Sequence, residues 1–259
     1  MGLELYHSDH STCSQKVRIC LAEKGLDWES HVLHFASGDH LTPDYLKLNP
    51  NGVVPTLIHD GEPVIESSVI VEYLDEIHPE PSLSPADALG RARLRIWMRY
   101  MEEVPTPAVR VPSFNKVFRP LRYANASPED FEARIEKMPL RKAVYRRMGQ
   151  VDGFSSDEVD NAIAQIRQTC ERVDAAIRDH GGPWILGAQY SLIEVTLTPL
   201  IQRMADMGYG PIWEDDLPEM TVWFARIKAR PSFAAAFYAN TNLTEKYGQF
   251  FDAETDSDD

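Results

Sequence analysis

Only three cysteines occur among the 259 residues, Cys13, Cys20 and Cys170. An odd, sparse set without a pairing pattern supports no disulfide framework and points to a reducing compartment. Long apolar runs are also missing. No stretch approaches the roughly 18 residues that read as a membrane span, and "MGLELYH" lacks the basic segment and apolar core of a signal peptide. The expected location is cytoplasmic, without a membrane partner. Basic residues are outnumbered, 26 Lys and Arg against 40 Asp and Glu, for a net charge of −14. Nucleic-acid binding relies on clustered cations to neutralise phosphates, so no such partner is expected. Neither a glycine-rich phosphate loop nor HExxH or CxxC is present, and no metal is expected.

What is there has the 43% hydrophobic and 25% charged make-up of an ordinary globular protein. Up to about residue 80, strand and helix signals alternate. "LELYH" reads as a strand. Val17, Cys20 and Leu21, at i, i+3 and i+4, predict a helix over 14–24 closed by Gly25. "WESHVLHF" (28–35) predicts a second strand, and "VVPTLIHDGEPVIES" (53–67) a hairpin turning at Asp60-Gly61. Val69, Ile70, Tyr73, Leu74 and Ile77 then mark an amphipathic helix.

Beyond the Pro- and Ser-rich "HPEPSLSPAD" the strand signals vanish and long helical patterns take over. Leu89, Ala92, Ile96 and Tyr100 share one helix face. Val159, Ile163, Ile166, Cys170, Val173 and Ile177 share another, and "SLIE" (191–194) is a capping box. The expected fold class is α/β plus all-α. An α/β module spans 1–80, a linker 81–88, a helical module 89–250, and an acidic disordered tail 251–259.

Four stretches carry chemistry. "HSTCSQKVRICLAEKG" sets Ser11, Cys13 and Ser14 at a helix start, where unsatisfied N–H groups and the dipole favour an anion. Simple capping by Ser11 or Ser14 explains the same residues. Val54-Pro55, if cis, leaves the Val54 backbone free to pair with an extended peptide. Glu66-Ser67-Ser68 opens a helix suited to a carboxylate, or merely caps it. His40 lies in a loop, where a histidine is ordinarily just solvated.

Taken in order, "STCSQKVRICLAEKG", "GDHLTPDYLKLNPNGVVPTL", "VIESSVIVEYL" and "SLIE" resemble the glutathione transferase family. The resemblance implies a thioredoxin-like N-terminal domain that holds glutathione as co-substrate. It implies a helical-bundle C-terminal domain that holds a hydrophobic or aromatic electrophile, and a homodimer. It implies that Ser11 holds the thiolate while Ser14 starts the helix. Cys13 is either a redox partner or packing. His40 meets the glycine carboxylate, Val54 before a cis-Pro55 pairs with the cysteinyl backbone, and Glu66 and Ser67 take the γ-glutamyl end. Trp97, Tyr100 and Met101 are expected pocket liners. Two positions depart from the family pattern: Val53 replaces a usual Lys or Gln, and Glu194 a usual Asp. The extra length at 105–155 is similar to that of bacterial β-aryl-ether-cleaving transferases and of reductive dehalogenases. β-Ether cleavage is the leading expectation. Reductive dehalogenation, maleylacetoacetate-type isomerisation and non-catalytic ligand binding stay open beside it.

Overall fold

The computed structural model describes residues 2–121, 127–140, 142–148 and 152–251. The expected acidic tail, apart from Phe251, lies outside the described residues, as does part of the 105–155 extension.

Four strands form one sheet in the order β2-β1-β3-β4: β1 Leu3–His7, β2 Glu29–Val32, β3 Thr56–His59 and β4 Glu62–Ile65. In β1 the alternation turns Leu3 and Leu5 into the core and Glu4 and Tyr6 outward. Helix α1, Thr12–Glu23, carries the chain from β1 to a parallel β2. The β3–β4 hairpin turns at Asp60 and Gly61, whose φ of 51° and 88° are those of the primed turn that matches strand twist. The second strand is shorter than its sequence pattern. Leu33 N–H still reaches the carbonyl of His7, but there β1 ends, and His34 N–H turns to the Asp39 carboxylate at 2.8 Å.

Helix α2, Pro43–Leu48, precedes the hairpin, and α3, Ser67–Ile77, follows it. Ile70, Val71 and Leu74 of α3 pack with Val17, Cys20 and Leu21 of α1 in the core. The helical module follows: α4 Ala88–Glu103, α5 Pro105–Ser113, a π turn at Phe114–Phe118, α6 Pro128–Glu136 and α7 Lys142–Met148. Next come α8 Ser156–His180, α9 Leu192–Asp206, α10 Pro218–Lys228 and α11 Pro231–Ala236. No helix among the described residues is long and apolar enough to cross a membrane. The fold is a thioredoxin-like α/β layer followed by a helical domain, as the sequence implied.

One helix face needs correcting. Helix α4 buries Leu94, Met98 and Met101, leaving Leu89 and Ile96 60% and 63% exposed. Its sequence carries two apolar stripes. Leu94, Met98 and Met101 sit at i, i+4 and i+7, and this stripe, not the Leu89–Ala92–Ile96 one, faces the core.

Helix α1 joins the two modules. It packs on α3 from one side and on α9 and α11 from the other. The buried Arg18 guanidinium donates to the carbonyls of Ser8, Asp9 and Ala236 at 3.2, 2.7 and 3.0 Å. A cation matched by three carbonyls fixes the β1–α1 loop against α11, so the first turn of α1 opens at the domain junction.

Candidate functional site

At that first turn Ser11, not Ser14, is the N-cap. Its backbone is extended (φ −73°, ψ 118°) and its Oγ accepts from Ser14 N–H at 3.3 Å. An accepting Oγ keeps its own proton to donate outward. Ser14 is fully buried and its Oγ accepts from Ser8 N–H, so it holds the loop and does not face a ligand. No acidic residue occupies the first turn of α1, and the buried Arg203 of α9 donates to the His10 carbonyl beside it. Burial lowers Arg203 to about 10, which leaves it charged at neutral pH. With Asp9 already taken by Tyr238 and Lys246, the capped helix N-terminus and the Arg18 and Arg203 cations bias this corner toward an anion.

The three cysteines separate by burial. Cys20 and Cys170 are buried, and burial pushes both thiols up, Cys170 to about 12, which keeps them protonated. Cys13 is a free, partly exposed thiol in the same turn as Ser11.

The segment before β3 runs from α2 into the hairpin. The Val54-Pro55 bond is cis, and Val54 N–H and C=O have no hydrogen-bond partner among the described residues. The segment is anchored one residue earlier, where Tyr45 Oη and Asn49 Nδ2 donate to the Val53 carbonyl at 2.6 and 2.9 Å. Position 53 thus contributes its backbone to the scaffold, which makes its apolar side chain tolerable. Glu66 sits at φ 68°, uncommon for a non-glycine residue, and accepts from Asn51 Nδ2 at 3.1 Å. It heads α3 without capping it by its side chain, so the amides of the Ser67 turn remain available to an anion. His40 is 4% exposed, and its Nδ1 has no partner among the described residues.

Of the pocket liners expected on α4, Trp97 and Tyr100 are half-buried. Met101 is fully buried in the core. Tyr100 Oη meets Thr169 Oγ1 of α8 at 2.9 Å, and the Arg172 guanidinium stacks 3.8 Å from its ring and 5.4 Å from that of Trp97. Both rings thus have partners on α8. The aromatic surface beside Ser11 comes from elsewhere. His10 is surrounded by the rings of Phe118, Tyr247 and Phe35 at 5.4, 5.9 and 6.0 Å between centroids. Its Nδ1 is buried without a partner among the described residues. Burial, then Arg203, pushes His10 down to about 3, so it is neutral, with one nitrogen to donate and one to accept. His10 adjoins the Ser11 motif, and that adjacency is its sequence signal. Phe118 and Tyr247 carried no such signal, because only the fold brings them to residue 10.

A separate cavity of about 240 Å³, lined by Pro85, Asp87, Arg93, His180 and Gln189, includes none of these residues. Glu4, Glu29 and His31 bring their ligand atoms within 4.8 Å on the β1–β2 face, an outcome of parallel register that sequence spacing does not reveal.

Comparison with known proteins places this geometry. The glutathione S-transferase N-terminal domain family matches residues 5–82, and the C-terminal domain family matches residues 156–226. Protein LigF of Sphingobium sp. strain SYK-6 is 28% identical over 92% of this chain and 93% of its own. The crystal structure of that β-etherase superposes with a TM-score of 0.82, covering 92% of this chain and 99% of that one. Maleylacetoacetate isomerase of Pseudomonas aeruginosa is 47% identical over 36% of this chain and 45% of its own. Glutathione S-transferase 1 of Dianthus caryophyllus is 44% identical over 77% of this chain and 76% of its own. The chain belongs to the glutathione S-transferase family.

Proposed function

We propose that this protein binds glutathione along the Ser11, Val54, Glu66–Ser67 and His40 edge and directs its thiolate at an aromatic electrophile, with β-aryl ether cleavage as the reaction. The observation that carries the reading is a capped helix N-terminus with a free hydroxyl proton, opening beside the His10, Phe35, Phe118 and Tyr247 rings. Similarity to a β-etherase over nearly the whole chain supports the choice of ether.

In this reading Val54 pairs its free N–H and C=O with the cysteinyl backbone, as strand addition does. Ser11 Oγ–H and the α1 dipole hold the sulfur as thiolate. The sulfur attacks the carbon bearing the aryloxy group. A C–S bond forms, the C–O bond breaks with its electron pair, and phenoxide leaves. The neutral imidazole of His10 has a nitrogen to donate to that oxygen, and the surrounding rings hold the arene by stacking. A cytoplasmic setting goes with this chemistry, because glutathione is kept reduced there.

The reading is tested with glutathione and a panel of a β-aryl ether, a halogenated hydroquinone and a maleyl-type isomer. The expected product is the glutathione thioether of the ether substrate. A hydroxyl donor to a thiolate contributes roughly 1.5–3 kcal/mol, so Ser11→Ala is expected to lose about 10- to 100-fold in rate and to raise the bound thiol's pKa. An unchanged thiol pKa and rate would remove Ser11 from the mechanism. Glutathione binding with no turnover of any substrate would favour a ligand-binding protein.

The free thiol of Cys13 favours one second reading, reductive dehalogenation. There the Cys13 thiolate attacks the sulfur of a glutathionyl arene, and the arene leaves with the bonding pair and takes up a proton. A Cys13–glutathione mixed disulfide forms in the same step. That disulfide in the mass spectrum during turnover, with loss of activity in Cys13→Ser, would displace the ether reading.

Self-association belongs to the same proposal. Val69 of α3 and Leu89 and Ile96 of α4 are apolar and more than half exposed, side chains that burial against a second copy would remove from water. Sedimentation is expected to show a dimer, and Ile96→Glu to shift it to the monomer. A wild-type chain that sediments as a monomer refutes this.

A further inference from the structure

Helix α6 and the turn after it lean on the glutathione edge. Ile135 and Met138 are buried, and a side chain on Gly52 would meet Pro139 Cδ at 3.0 Å and Leu41 Cδ2 at 3.1 Å. From the last turn of α6, Arg134 donates to the carbonyls of Ala36 at 2.8 Å and Phe35 at 3.4 Å. The Phe35 ring in turn stands edge-on to His40, 4.8 Å away.

The charge of Arg134 is unmatched among the described residues. Glu132 and Glu136 on the same helix are taken by Arg146, at 2.9 Å from its Nε to Glu132 and 2.8 Å from its NH2 to Glu136. Lys142 also pairs with Glu136, at 2.9 Å. Among the described residues no carboxylate lies within ion-pair distance of Arg134. Two of its five N–H groups are used on carbonyls, and among the described residues the others have no partner. Beside it, the buried His40 Nδ1 lacks a partner. A fixed cation next to an unsatisfied buried nitrogen is the donor set a carboxylate requires.

Glutathione has two carboxylates. The Glu66–Ser67 end of α3 suits its amino-acid terminus, Glu66 meeting the ammonium and the helix amides the carboxylate. The glycyl carboxylate remains. We infer that Arg134, reaching over from the helical domain, pairs with the glycyl carboxylate of glutathione together with His40, so that α6 clamps the bound tripeptide. Burial, then Arg134 itself, lowers His40 to about 4, so the imidazole supplies a neutral hydrogen bond and the guanidinium the charge.

The inference rests on the glutathione reading above, and the test separates the two. Binding of glutathione and of its glycyl monoethyl ester is measured by calorimetry on the wild type, Arg134→Gln and Arg134→Lys, with thermal midpoints showing each variant folded. Wild type is expected to bind the ester roughly ten-fold more weakly, as for a lost charge-assisted bond. In Arg134→Gln the ratio falls toward one through weaker binding of glutathione itself, and Arg134→Lys keeps part of the discrimination. An unchanged ratio in Arg134→Gln, with glutathione still bound, overturns the clamp alone. A variant that discriminates normally but loses turnover only of a carboxylated acceptor assigns Arg134 to the acceptor and also overturns it. Wild type that binds neither compound overturns the glutathione reading and the clamp with it.

Discussion

Replacing Glu194 by alanine is expected to lower the unfolding free energy by about 3–5 kcal/mol, and the melting midpoint by roughly ten degrees. The side chain is 0% exposed, and one of its oxygens accepts from Ser191 N–H at 2.8 Å and Ser191 Oγ at 2.6 Å. The other accepts from Ile185 N–H at 2.8 Å, which ties the loop before α9 to the start of that helix. Truncation strands three buried donors at once, and each unsatisfied group costs about 1–3 kcal/mol. The cost does not stop at α9. This helix packs against α1, α4 and α10 and carries Arg203, which holds the His10 carbonyl beside Ser11. Glu194→Asp, the residue usual at this position in the family, keeps two acceptor oxygens and is expected to lose much less. Urea unfolding decides the matter, and a loss under about 1 kcal/mol for Glu194→Ala would show that the capping box is dispensable.

That box was legible in the sequence because its members are three residues apart, and so was everything else governed by local spacing. The Asp60-Gly61 turn, the Gly25 helix end and the α8 stripe are all set within one or two turns of chain. The α4 face is not legible in the sequence, for a reason of the same kind. Two stripes of equal period coexist there, and only contact with α5 and α9 selects the methionine one. Ser11 and Cys13 were visible because helix starts are local too. The aromatic surface around His10 was not, since Phe35, Phe118 and Tyr247 converge from three distant segments. Arg134 was one of many basic residues in the extension, and it is distinguished only by what its neighbours on α6 and α7 already bind. Sequence thus points to Ser11, His40, Val54 and the Glu66–Ser67 turn one motif at a time, and the tertiary fold adds the rings around His10 and the contact of Arg134 with the Phe35–Ala36 backbone.

Stability is expected to fall steeply as the pH drops from about 6.5 toward 4, because three histidines are held neutral in the folded chain. Burial, then Arg18, pushes His7 down to about 4, its Nδ1 lying 3.1 Å from Arg18 NH1 and its Nε2 2.8 Å from Ser30 Oγ. Burial, then a nearby arginine, does the same to His40, to about 4, and to His10, to about 3. In the unfolded chain each titrates near 6.5. The folded values are depressed, so below that pH the unfolded state takes up protons that the folded state refuses. Stability therefore rises with pH through this window and is fully present above it. For His7 and His40 the displacement corresponds to on the order of 3 kcal/mol each at the acid end, a large share of the stability of an ordinary domain. Urea midpoints at pH 7.5 and pH 5 should therefore differ markedly. His7→Gln, which keeps an acceptor toward Arg18 and a donor toward Ser30, should flatten the dependence. A midpoint independent of pH across this range would mean that the three imidazoles do charge in place. His10 adjoins Ser11 and His40 stands edge-on to Phe35, so charging them in place would also add two cations near the proposed sulfur and glycyl positions. Glutathione affinity would then rise on acidification instead of disappearing with the fold, so one titration of binding against pH separates the two cases.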